Sequence, residues 1–135
     1  MGNGRILAVL LGALVMRAAL PAAAADQAKT PTQAYLDCQA AVTKATTLAE
    51  VLPHLSAAYR GMLESRPKKD HGVWLERLKD SVNIKDMKIN KETIDGDKCT
   101  LEATGTSARG NAVKGKISLV KEGGAWKLDE QFWST

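Results

Sequence analysis

No stretch of this 135-residue chain is apolar for long enough to cross a bilayer. The apolar run from Ile6 to Met16 has 11 residues and stops at Arg17, against roughly 20 for a spanning helix. A retained membrane anchor is therefore not expected. Histidine and cysteine are scarce, with two of each. His54 and His71 stand 17 residues apart and neither adjoins a cysteine, so no metal site of ordinary ligand spacing is expected. Nothing in the sequence calls for a cofactor. The first cysteine is Cys38, preceded by Tyr35-Leu36-Asp37, which rules out lipid attachment near residue 25.

What is present at the N-terminus is a positive start at Arg5, the short apolar run, and the small-residue exit Leu20-Pro21-Ala22-Ala23-Ala24-Ala25-Asp26. These are the three parts of a secretory signal peptide. Residues 1–25 are expected to be removed by cleavage after Ala25, with Ala24 nearly as good a site, leaving the protein periplasmic or secreted. Residues 26–135 are then a single domain of roughly 110 residues. The leader carries Arg5 and Arg17 and no acid, so 19 basic residues fall to 17 against 15 acidic ones and the net charge of +4 falls to +2. A nucleic-acid partner, which needs a concentrated basic face, is not expected.

In an oxidising compartment two cysteines usually pair. A Cys38–Cys99 disulfide is expected. It would close a loop of about 60 residues and contribute on the order of 4 kcal/mol by the chain-entropy model. The other reading, two separate thiols in the core, stays open.

The remaining chain changes character once, near its middle. Thr30-Pro31-Thr32-Gln33 has the spacing of a capping box with proline at the first helical position. Tyr35, Cys38, Val42 and Ala45 then recur at helical steps. A second capping pattern, Thr47 with Glu50, leads into Leu48–Leu55, which Pro53 keeps short. Leu55, Ala58, Tyr59, Met62 and Leu63 form another apolar face that ends before Arg66-Pro67. Lys68 to Gly72 reads as a charged loop, and Val73 to Leu78 as a short helix with Trp74 and Leu78 on one face.

From Ser81 the period becomes two. Val82 and Ile84 alternate, then Met87 and Ile89 continue on the other parity, which predicts a bulge at Lys85-Asp86. Turns are expected at Asp95-Gly96-Asp97, Arg109-Gly110-Asn111 and Glu122-Gly123-Gly124. Cys99, Leu101 and Ala103 share one face, as do Val113, Gly115, Ile117 and Leu119. Glycines 105 and 115 would relieve crowding where the sheet curves. The fold class is α+β, with N-terminal helices packed on a curved four-stranded antiparallel sheet. By parity Trp126 lies with Leu128 and Phe132. Trp133 then faces the polar side as a contact residue, unless the chain end curls and buries it.

Ile117-Ser118-Leu119-Val120-Lys121-Glu122-Gly123-Gly124-Ala125-Trp126-Lys127-Leu128-Asp129 and the hairpin Ile94-Asp95-Gly96-Asp97-Lys98-Cys99-Thr100-Leu101 carry a resemblance. Over most of residues 31–133 the chain resembles the small exported bacterial members of the nuclear transport factor 2-like, cystatin-like superfamily. That resemblance implies a pocket between helices and sheet, and a homodimer through the sheet. It does not fix an activity, since such domains include isomerases, dehydratases, polyketide cyclases and binding modules.

The enzymes of that group place Asp, Tyr or His in the pocket. Here Tyr35, Tyr59, His54, His71 and Asp37 are the available groups, and none has an evident partner at catalytic spacing. No catalytic residue is assigned. Tyr35, Tyr59, Trp74, Trp126 and Trp133 are the candidate pocket or contact residues. Lys114 and Lys116 read as a solvated face or a charged docking surface. The expectation is an exported non-enzymatic module binding a protein or a small apolar ligand. The alternatives are a small pocket enzyme using Tyr35, Tyr59 or His54, and an inhibitor or immunity-type partner bound through the outer sheet face.

Overall fold

A computed structural model describes residues 29–135; the leader and the cleavage point at Ala25 lie outside the described residues. Helix α1 spans Pro31–Lys44. Two 3₁₀ turns follow, Leu48–Glu50 and Leu52–His54, then α2 at Ala57–Glu64 and α3 at His71–Val82. The strands are β1 Lys85–Asp95, β2 Lys98–Thr106, β3 Ala112–Glu122 and β4 Ala125–Ser134, in spatial order β1-β2-β3-β4 and antiparallel throughout. The α+β architecture is thus the one expected, with the helices lying on one face of the sheet.

Local chemistry explains most boundaries. The α1 capping box forms in full: Gln33 N–H donates to Thr30 Oγ1 at 3.1 Å, and Thr30 N–H to Gln33 Oε1 at 3.1 Å. The Glu50 carboxylate accepts from the N–H groups of Thr46 and Thr47, both at 2.7 Å, which holds its own pKa below the usual carboxylate range. Pro53 holds the next piece to a single 3₁₀ turn. At the three hairpin turns Gly96, Gly110, Gly123 and Gly124 take positive φ, as turns of this kind require.

Two boundaries differ from the sequence reading. Lys68–Asp70 is a 3₁₀ turn and α3 starts at His71, because Asp70 N–H closes on Pro67 O at 2.9 Å and starts the winding. Ser81 and Val82 belong to α3 and not to a strand; Val82 continues the Leu75–Leu78 helical spacing as readily as it begins an alternation. The bulge expected at Lys85-Asp86 is present, with a register shift between Lys85 and Lys88 and Asp86 at φ 52°.

The core lies between α1 and the sheet. Tyr35, Cys38, Val42 and Ala45 meet Leu101, Ala103, Ile117, Leu119 and Leu128, with Leu48, Val51, Leu55, Leu63, Leu75 and Leu78 closing its sides. Both strand glycines sit where a side chain would collide. A Cβ on Gly115 would lie 2.6 Å from the Trp133 ring, and one on Gly105 would lie 2.3 Å from Ile84.

Candidate functional site

Around Tyr35, between α1 and the sheet, the interior is closely packed. Tyr35 is wholly buried, and its hydroxyl donates to Gln131 Oε1 at 2.8 Å while accepting from Gln39 Nε2 at 3.2 Å. Gln131 Nε2 donates to Ser81 Oγ at 3.2 Å, and Trp133 Nε1 donates to Gln131 Oε1 at 3.3 Å. Gln39 also reaches the Met87 sulfur at 3.4 Å. Among the described residues no buried side-chain nitrogen or oxygen lacks a partner. Burial, with a smaller contribution from neighbouring Cys38, raises the Tyr35 phenol well above its ordinary pKa. It is a structural hydroxyl, unable to ionise near neutral pH.

Trp133 is therefore not a contact residue on the polar side. In β4 the register slips between Ser118 and Leu119: Ser118 faces Glu130 while Leu119 faces Leu128, leaving Asp129 unpaired. That extra residue inverts the alternation, turning Gln131 and Trp133 inward and Phe132 outward. The displaced Asp129 accepts from the buried Ser56 hydroxyl at 2.7 Å.

Cys38 and Cys99 are separate buried thiols in this structure, not the expected bridge. Their surroundings differ. Burial pushes the Cys38 thiol up to about 12. Cys99 lies near the β1–β2 turn; burial and then Glu92 raise its pKa. Shared orientation toward the core did not bring the two sulfurs together.

The open concavity with the most chemistry is a cleft of about 390 Å³ lined by Lys29, Asp37, Pro53, His54, Trp126 and Lys127, with Ala34 and the Gly124-Ala125 turn completing it. Its geometry follows from three local causes. Pro53 sits in the middle of the Leu52–His54 turn and presents its carbonyl, to which Lys127 Nζ donates at 2.6 Å. The Gly123-Gly124 turn delivers Trp126 and Lys127 at the start of β4. Asp37 stands on α1, ion-paired with Lys29.

His54 is held below its ordinary pKa by partial burial and then by Lys127. Among the described residues its ring makes no hydrogen bond to an orienting group or to a nucleophile, and Cys38 is not in the lining. The cleft therefore offers the Lys127 ammonium, the Lys29–Asp37 ion pair, an imidazole held below its ordinary pKa and the indole of Trp126. Such a set suits holding an anionic group beside an apolar one.

The other candidates lie apart. Tyr59 is half-buried in a second groove with Ala58, Met62, Asp129, Glu130 and Gln131, and burial raises its phenol. Trp74 is held between two guanidinium groups, those of Arg66 and Arg77, each 4.9 Å from the ring centroid. His71 Nε2 lies 3.0 Å from Arg66 O and caps the α2–α3 connection. Of the five tyrosine and tryptophan candidates, only Trp126 enters the cleft. Lys29, Pro53 and Lys127 were missed by sequence reasoning, since a cleft assembled from a helix, a 3₁₀ turn and a hairpin leaves no spacing signature. Among the described residues no three His, Cys, Asp or Glu side chains converge as a metal site, and no helix is long and apolar enough to cross a membrane.

No protein-family profile and no curated protein sequence matches the chain. Two solved structures are similar in fold. One is a Campylobacter jejuni chain that carries the name NTF2-like transpeptidase, with TM-score 0.48, 12% identity, and coverage of 76% of this chain and 99% of that one. The other is a de novo designed protein with a curved β-sheet, with TM-score 0.36 and 16% identity over 52% of this chain and 61% of that one.

Proposed function

We propose that this chain is an exported binding module that holds a small organic anion in the cleft between His54, Trp126 and Lys127. The observation that carries this reading is the filled interior. Tyr35, one of the three groups a pocket enzyme would draw on, is locked into a satisfied network with Gln39 and Gln131, which favours recognition at the surface clefts. In the cleft the Lys127 ammonium supplies charge and the Trp126 indole supplies an apolar wall, beside the Lys29–Asp37 ion pair. Export rests on the leader at residues 1–25.

The test uses benzoate and its uncharged analogue benzamide as probes, followed through the Trp126 indole and His54 ring signals by NMR. Saturable shifts with benzoate, absent with benzamide and weakened in Lys127→Met, support the reading. It fails if neither probe moves these signals, or if the protein turns over an ester or enol substrate with a rate that Tyr35→Phe abolishes. For export, the protein recovered from the cell envelope should have the mass of a chain beginning at Asp26.

A further inference from the structure

We infer that the outer face of the sheet, centred on Phe132, is a docking surface for a protein partner that presents an acidic segment with an apolar side chain. The face is defined by register. Lys91 stands opposite Glu102, Glu102 opposite Lys116, and Lys116 opposite Phe132, in one row across all four strands. The neighbouring row runs Lys88, Thr104, Lys114 and Ser134. Phe132 is 66% exposed, the highest value among the exposed large hydrophobics. It is there because the Asp129 bulge inverts the strand; a regular β4 would have placed it inside. Bulges that re-aim a side chain are common beside functional surfaces.

Two shallow grooves flank this point. One is lined by Glu102, Lys114, Lys116, Phe132 and Ser134, the other by Asn90, Lys91, Glu102, Thr104 and Lys114. Lysines outnumber acids three to one in these linings. Among the described residues the one ion pair is Lys29–Asp37, so none of these lysines is in direct contact with a carboxylate; Glu102 stands between Lys91 and Lys116 and leaves the face with an excess of positive charge. A single aromatic anchor ringed by unpaired cations matches the usual division of labour at an interface, where the anchor supplies affinity and the charges supply steering and choice of partner.

Charge also decides between occupants. A two-fold dimer through this face would set the same patch against itself, bringing like charges together. A lipid surface would call for a broader apolar face than one phenylalanine. An acidic polypeptide satisfies both the lysines and the ring.

The experiment measures binding of a glutamate-rich peptide with one central leucine to the full-length protein at low salt, with a glutamine-rich version as reference. The expected result is saturable, salt-sensitive binding of the acidic peptide. Lys114→Glu/Lys116→Glu should weaken it roughly tenfold or more, and Phe132→Ala roughly fivefold. Arg66→Glu/Arg77→Glu makes the same charge change on the helical side and should leave binding within about twofold. Equal losses in both charge-reversal pairs would reduce the effect to net charge and overturn the inference. So would absence of saturable peptide binding, preference for phosphatidylglycerol vesicles over the peptide, or a dimer in light scattering that Phe132→Ala dissociates.

Discussion

The two central strands and the two edge strands of this sheet obey different rules. β2 and β3 pair without a break from Lys98–Val120 to Thr106–Ala112, and Cys99, Leu101, Ala103, Ile117 and Leu119 alternate into the core. β1 carries two register shifts and β4 one. Toward the helices the unbroken pair supplies Leu101, Ala103, Ile117 and Leu119, which are apolar burial. The interrupted strands supply the side chains that depart from alternation. Glu92 turns to the start of α1, where it accepts from Thr32 N–H and Oγ1 at 3.1 and 2.7 Å. Gln131 turns in to hold Tyr35, and Phe132 turns out to solvent. Regular alternation builds the stable centre, and single extra residues at the margins aim the functional side chains.

That contrast can be broken most severely at its centre. Leu101→Ala removes a fully buried side chain and should destabilise the fold by about 3 kcal/mol, read as a lower urea midpoint. Gly115→Ala, where centre meets edge, drives a methyl group into the Trp133 ring and should lose about 2 kcal/mol. In a Trp133→Leu background the same substitution should be much milder; additive losses would show that the close approach is not the cause. Tyr35→Phe leaves Gln131 and Gln39 short of a partner at the edge and should lose about 1 kcal/mol.

The smallest effect is electrostatic. His54 titrates below the ordinary value of about 6.5 because of burial and Lys127, so the unfolded chain takes up a proton before the folded protein does. Its contribution is present in full above pH 6.5 and declines as pH falls through 6.5 toward the lower folded value. His54→Gln should remove that part of the slope. An NMR midpoint for His54 at or above 6.5 would contradict the packing described here.

Much of this was legible from the sequence, for physical reasons that differ by place. Both capping boxes, the three hairpin turns and the α1 stripe are local events, encoded within a few residues. The bulge at Asp86 announced itself because apolar residues on both sides mark the phase. The Asp129 bulge had no such marker. Asp129 and Glu130 are both polar, and the adjacent aromatics Phe132 and Trp133 satisfy either parity, so alternation alone puts Phe132 in the core where the structure turns Trp133 inward.

Parity likewise showed that Cys38 and Cys99 face the core, but it says nothing about where along the sheet a helix crosses. Maleimide should label neither thiol in the folded protein and both after unfolding without reductant. The cleft could not be read at all, since Lys29, Pro53 and Lys127 come from three elements whose meeting is fixed only by the completed sheet.

Helix α1 is fastened to both margins of the sheet. Thr32 reaches Glu92, 60 positions away, and Tyr35 reaches Gln131, 96 positions away. The first element made thus depends on the last one for its final anchor. While the chain grows, α1 has no completed surface to dock on, and closure waits until β4 has been synthesised. Order of synthesis and order of assembly are opposed here: the helix made before the sheet takes its closing contact from the last strand made.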